Sequence, residues 1–132
     1  MQLFAIVIIA LATFWDPTIT IHIDAQQRGA MVDVHATIST DLYVSGIMVY
    51  VSTSSGLRVA AVELSGGACT DTLCTHGEMQ PNETLVLTAT AEMLFAGEQI
   101  VGIAVSPADH PGWVESIVLQ TAYHCYLPVL SS

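Results

Sequence analysis

The sequence predicts an all-β fold, an antiparallel β-sandwich of seven to eight strands behind a short apolar N-terminal segment, and three observations carry that reading. Past Pro17 the apolar residues recur every second position. The alternating segments are short and separated by clusters of Gly, Pro, Ser and Asn, the residues that make turns. No amphipathic helical pattern follows Trp15, so the helices that an α/β enzyme fold places between its strands are missing.

The strands read in order as follows. "TITIHID" sets Ile19, Ile21 and Ile23 against Thr18, Thr20, His22 and Asp24, the mark of a half-buried strand. "MVDVHATIS" repeats the device, with Val32, Val34, Ala36 and Ile38 on one face and Asp33, His35 and Thr37 on the other. "AQQRG" between them reads as a turn. Further strands are expected over Ile47 to Ser52, Leu57 to Leu64, Thr84 to Glu92, Gln99 to Ser106 and Val114 to Tyr123, with "STSSG", "SGG", "MQPNE", "FAGE" and "SPADHPG" as separators. Taking the apolar phase of each strand puts Val34, Ile38, Val49, Leu85, Leu87, Val101, Ile103 and Val118 in the interior.

Composition bounds the function. A chain of 132 residues has room for one domain with its own core, and 52% hydrophobic against 11% charged residues describes a chain that folds. The net charge of -10 sets twelve carboxylates against Arg28 and Arg58, with no lysine. Nucleic acids and anionic membrane surfaces are bound by displacing counterions with cations, so neither is an expected partner. The carboxylates are scattered from Asp16 to Glu115, as a solvated surface has them.

Leu3 to Trp15 is uncharged and shorter than the roughly 20 residues a spanning helix needs. It fits the apolar region of an export signal, with Ala10-Leu11-Ala12 as a small-x-small cleavage pattern, although only Met1 and Gln2 precede it where basic residues usually stand. An uncleaved membrane anchor and a buried element of the domain are the other readings. The chain thus divides into residues 1–15, an apolar export signal or membrane anchor, residues 16–127, the sandwich, and residues 128–132, a C-terminal tail.

From Val32 to Tyr123 the segments "VDVHATIS", "DLYVSG", "IMVYVSTSSGL", "GGACTDTLCTHGEMQPNE", "TLVLTATA" and "IAVSP" follow one another. In that order the chain resembles the immunoglobulin-like conserved-repeat domain of bacterial and archaeal cell-surface proteins, a family without an assigned function. Thr53-Ser54-Ser55-Gly56-Leu57 stands where the family has a proline-containing turn, and Gly112-Trp113-Val114-Glu115 where it has paired asparagines. The resemblance implies an immunoglobulin-like sandwich and a non-catalytic structural or interaction module, extracellular or in the cell envelope. The partner would be a protein or another envelope component, and the membrane would be reached only through residues 1–15. A small accessory subunit that keeps its N-terminal segment inside a larger assembly is the alternative.

Cys69 and Cys74 flank Thr70-Asp71-Thr72-Leu73, a loop that lets the two side chains face each other across a hairpin. Opposed residues of an antiparallel pair sit about 4.5–5.5 Å apart at Cα, within reach of a disulfide. Two free buried thiols are the alternative. Cys125 shares a strand phase with Tyr123 and Leu127, which favours burial, and pairing between molecules is the other outcome. Zinc ligation by Cys69, Cys74, His76, His124 and Cys125 is disfavoured by the Cys-x₄-Cys spacing and by the adjacency of His124 and Cys125. The carboxylates form no calcium-loop pattern. Asp109-His110 lacks a nucleophile elbow, and phosphate-cradling glycine loops are absent, so neither an enzyme nor a cofactor is expected. The candidate contact is "SPADHPGW", a stiff loop with Pro107, Asp109, His110 and Trp113, in which Trp113 either anchors a partner or folds back as a lid over the core.

Overall fold

The computed structural model describes residues 17–108 and 110–122. The expected signal or anchor over residues 1–15 and the tail over 128–132 lie outside the described residues, as do Tyr123, Cys125 and Leu127. Nine strands run in chain order: β1 (Ile19–Arg28), β2 (Met31–Thr40), β3 (Val44–Thr53), β4 (Leu57–Leu64), β5 (Ala68–Thr70), β6 (Leu73–Met79), β7 (Thr84–Met93), β8 (Gly97–Ser106) and β9 (Trp113–Thr121). One sheet has the order β1-β2-β7-β4 and the other β5-β6-β3-β8-β9, with every described strand pair antiparallel. With β5 and β6 set aside, β1-β2-β7-β4 against β3-β8-β9 is the A-B-E-D against C-F-G order of a constant-type immunoglobulin domain. The two additional strands form one hairpin that extends the second sheet beyond β3.

The core lies between the sheets, and strand alternation fills it. Val32, Val34, Ala36 and Ile38 of β2 and Leu85, Leu87, Ala89 and Ala91 of β7 point inward from one sheet, and Val49 and Val51 of β3 with Val101, Ile103 and Val105 of β8 meet them from the other. Removing each such Leu, Ile or Val from water contributes about 1.5–3 kcal/mol. Thr84, Thr88, Thr90 and Glu92 take the opposite phase of β7, which is why "TLVLTATAEM" reads so cleanly as a strand with one wet face.

Three expectations are corrected. Ala25 to Arg28 is strand, not turn: β1 continues to Arg28, and the reversal is confined to Gly29 and Ala30, with Gly29 at φ 64°. Polar side chains hid this extension, yet they hold it. Arg28 pairs with Asp33 across the hairpin, and the Gln27 side chain accepts from Ala122 N and donates to Ala122 O, tying β1 to the end of β9. Second, Val118 is 63% exposed. Both phases of β9 are apolar, and its register with β8 decides between them: Ile117 lies opposite the inward Val101, which leaves Val118 opposite Ile100 on the outside. Third, β3 begins at Val44 rather than Ile47, because Gly46 at φ 63° kinks the strand and lets both Val44 and Ile47 point inward.

Candidate interaction surface

The Cys69–Cys74 hairpin is built from the turn upward. Asp71 takes φ 55°, a left-handed conformation that Asp tolerates better than most residues, and reverses the chain between β5 and β6. Cys69 and Cys74 are then direct cross-strand partners with Cα atoms 4.0 Å apart, and they are joined by a disulfide. Cys74 is fully buried against the core and Cys69 is half-buried. The bond therefore fastens a three-residue edge strand to the sheet.

The segment Ser106–Trp113 is shorter as a loop than its prolines imply, since Ser106 closes β8 and Trp113 opens β9 opposite Val105. Pro107 is buried, Ala108 N donates to Ser45 O at 3.1 Å, and His110 is half-buried. A Cβ on Gly46 would come within 2.7 Å of the Ala108 Cβ, so the glycine lets the connection lie flat on β3. Trp113 is half-buried and packs against the core, while Asp109 lies outside the described residues.

The outer faces of the two sheets differ in kind. The β1-β2-β7-β4 face is polar, with His22, Asp24, Asp33, His35, Thr88 and Glu63 among its side chains. Both arginines are there. Arg28 Nε lies 2.8 Å from Asp33 Oδ2, and Arg58 Nη2 lies 2.6 Å from Glu92 Oε2. The hydrogen bond from Arg28, aided by its charge, holds the Asp33 carboxyl below the usual carboxylate range. Among the described residues no group of three His, Cys, Asp or Glu side chains is placed to hold a metal ion.

The outer face of β6-β3-β8-β9 is apolar. Leu73, Tyr50, Ala104 and Val114 are successive cross-strand partners and make one row across four strands. Ser52, Gly102 and Ser116 make the next row, and Ile100 with Val118 the one after. Met48 lies beyond the first row, opposite Thr75 and Ser106. No charged side chain stands in these rows. Glu98, opposite Gln120, lies one row further out. The large apolar side chains of this face are exposed, from 39% for Leu73 to 74% for Val114. At its far margin the Tyr43 hydroxyl donates to Glu78 Oε2 at 2.8 Å, a bond to the carboxylate that raises the phenol above its ordinary range.

No family model matches the chain, and neither does any curated protein. Solved structures do. The CARDB domain of a Pyrococcus furiosus protein, determined in solution, is 14% identical at a TM-score of 0.56, over 82% of this chain and 97% of that one. A crystal structure of that domain in complex with di-metal ions gives 14% identity and 0.52, over 84% and 98%. The Salmonella SafD adhesin gives 11% identity and 0.50, over 81% and 98%. At these identities the likeness is one of fold. The chain is an immunoglobulin-like β-sandwich.

The apolar outer face is the feature that reading one phase per strand passes over. Its signal is nonetheless in the sequence: "IMVYV", "IVGIAV" and "IVL" are apolar in both phases, unlike the Thr-alternating strands of the other sheet. Runs of that kind belong to strands covered on both sides.

Proposed function

We propose that this protein is a non-catalytic interaction module of the cell envelope, exported or tethered through residues 1–15, and that its contact surface is the outer face of the five-stranded sheet. The observation that carries the reading is an uncharged apolar face on a chain of net charge -10. Exposed apolar surface is normally broken up by charge on soluble domains, and where it is continuous over several strands it serves contact with another molecule. The Cys69–Cys74 disulfide supports export, because such bonds persist in oxidising compartments. Trp113 and Pro107 already bury much of their surface in the domain itself, so the face rather than the Ser106–Trp113 connection is the contact we favour.

The test is recovery of the native protein by cell fractionation, with the mature N-terminus and the state of Cys69 and Cys74 read by non-reducing peptide mapping. The expected result is an envelope or extracellular protein with the two cysteines joined. A cytosolic protein whose cysteines alkylate freely overturns the envelope assignment.

A further inference from the structure

We infer that Asn82 is the acceptor of an N-linked oligosaccharide, carried at the margin of the polar sheet; the inference rests on the export half of the reading above.

Asn82 is the single asparagine of the chain, and Glu83 and Thr84 complete an Asn-x-Thr sequence with no proline at its middle position. That is the acceptor pattern of N-glycosylation, in which the transferase reads the hydroxyl two residues beyond the amide it modifies. A three-residue pattern becomes a site only where the fold presents it outward.

Gln80-Pro81-Asn82-Glu83 is a type II β-turn between β6 and β7. Pro81 stands where its fixed φ is favoured, Asn82 follows at φ 66°, and Glu83 N donates to Gln80 O at 3.0 Å. Glycine usually holds the left-handed position, and asparagine tolerates it better than most residues with a side chain. Asn82 N donates to Thr40 O at 2.9 Å, and Glu83 Oε1 accepts from Gln80 N at 2.9 Å. These bonds engage the backbone of the turn and the Glu83 carboxylate, and they leave Asn82 and Thr84 exposed.

Thr84 opens β7 in its outward phase, opposite Ser39 of β2, which in turn lies opposite Thr20 of β1. With Thr18 and Asp41 they line a shallow hollow of about 470 Å³ beside Asn82. Among the described residues, the first sugar therefore meets an open, hydroxyl-lined surface. It lies on the polar sheet, so the apolar rows of the other sheet stay available for the contact proposed there.

The co-reactant is a polyprenyl-phosphate-linked oligosaccharide of the membrane across which the chain is exported. Asn82 Nδ2 forms a bond to C1 of the first sugar while the bond from C1 to the phosphate oxygen breaks. The lipid phosphate leaves with that electron pair, and the amide gives up one proton.

Protein recovered from native cells tests this by intact mass and peptide mapping, with Asn82→Asp, Thr84→Val and Thr84→Ser expressed beside the wild type. Asp tolerates the left-handed turn position, and position 84 is exposed, so all three variants are expected to keep the parent's unfolding midpoint. The wild type carries an oligosaccharide on the peptide that holds Asn82. Asn82→Asp and Thr84→Val lose the whole mass increment, and Thr84→Ser retains it because the hydroxyl remains. An exported wild type with Cys69 and Cys74 joined and Asn82 unmodified overturns this inference and leaves the export reading standing. A cytosolic protein with free thiols and an unmodified Asn82 overturns both. An increment that persists in Asn82→Asp belongs to another residue, and one that persists in Thr84→Val does not depend on the hydroxyl; either result also overturns the inference.

Discussion

Gln99 is the buried polar residue on which one end of the sandwich turns. It is 1% exposed and carries an amide that must find partners inside the protein. It finds two: Ser54 Oγ donates to its Oε1 at 2.7 Å, and its Nε2 donates to Phe95 O at 3.0 Å. Ser54 Oγ in turn accepts from Ile100 N at 2.9 Å, so the amide locks the β3–β4 and β7–β8 connections together. Gly56 makes room for it, since a Cβ there would overlap the Gln99 amide. Gly56→Ala is therefore expected to evict the amide and leave buried polar groups unpaired, at a cost of about 2–3 kcal/mol in chemical denaturation. A variant as stable as the parent would show that Gln99 has another rotamer it can adopt at no cost. "STSSG" reads as a turn from its Ser and Gly content, but its pairing with Gln99, distant in the chain, is a property of the assembled sandwich.

Among the elements, the β5–β6 hairpin and β9 mark where strand patterning succeeds and where it stops. β5 has three residues and cannot stand alone at a sheet edge, so the cross-strand Cys69–Cys74 bond holds it. Closing so small a loop removes roughly 2 kcal/mol of unfolded-chain entropy. The Cys69→Ala, Cys74→Ala pair is expected to lose about that much stability by urea titration while the rest of the sandwich persists. Equal midpoints for variant and parent would mean that the sheet holds the hairpin without the bond. The cysteine spacing alone pointed to this contact because the partners are local in sequence. β9 is the opposite case. Its inward phase depends on pairing with β8, and Val114, Ile117, Val118 and Leu119 offer apolar residues to either choice.

For the whole molecule, the sandwich is expected to fold without residues 1–15. The first described strand begins at Ile19, and Asp41 Oδ1 accepts from Thr18 N at 2.7 Å, so strand pairing starts after the apolar segment. A chain beginning at Asp16 should unfold in one cooperative thermal transition and stay free of aggregates in light scattering. Aggregation of that chain beside a well-behaved full-length protein would assign the apolar segment to the core or to an interface. The same scale separates the two outer faces: one polar with both arginines, the other apolar with none.

By itself the sequence determined the fold class, the existence of most strands, the buried phase of β2 and β7, and the hairpin disulfide. Each of these rests on residues close together in the chain: Thr and aliphatic alternation, Gly and Pro punctuation, and two cysteines a short turn apart. Tertiary structure alone decided the length of β1, the phase of β9, and the Gln99 clasp. It also decided that the doubly apolar strands β3, β8 and β9 lie side by side, with one face exposed among the described residues. The physical reason is that a strand's side chains alternate with a period of two whichever neighbour it has, so local pattern defines two faces but not which of them meets the core. Only the pairing of distant strands assigns the inward face, and with it the outward one that remains to be covered.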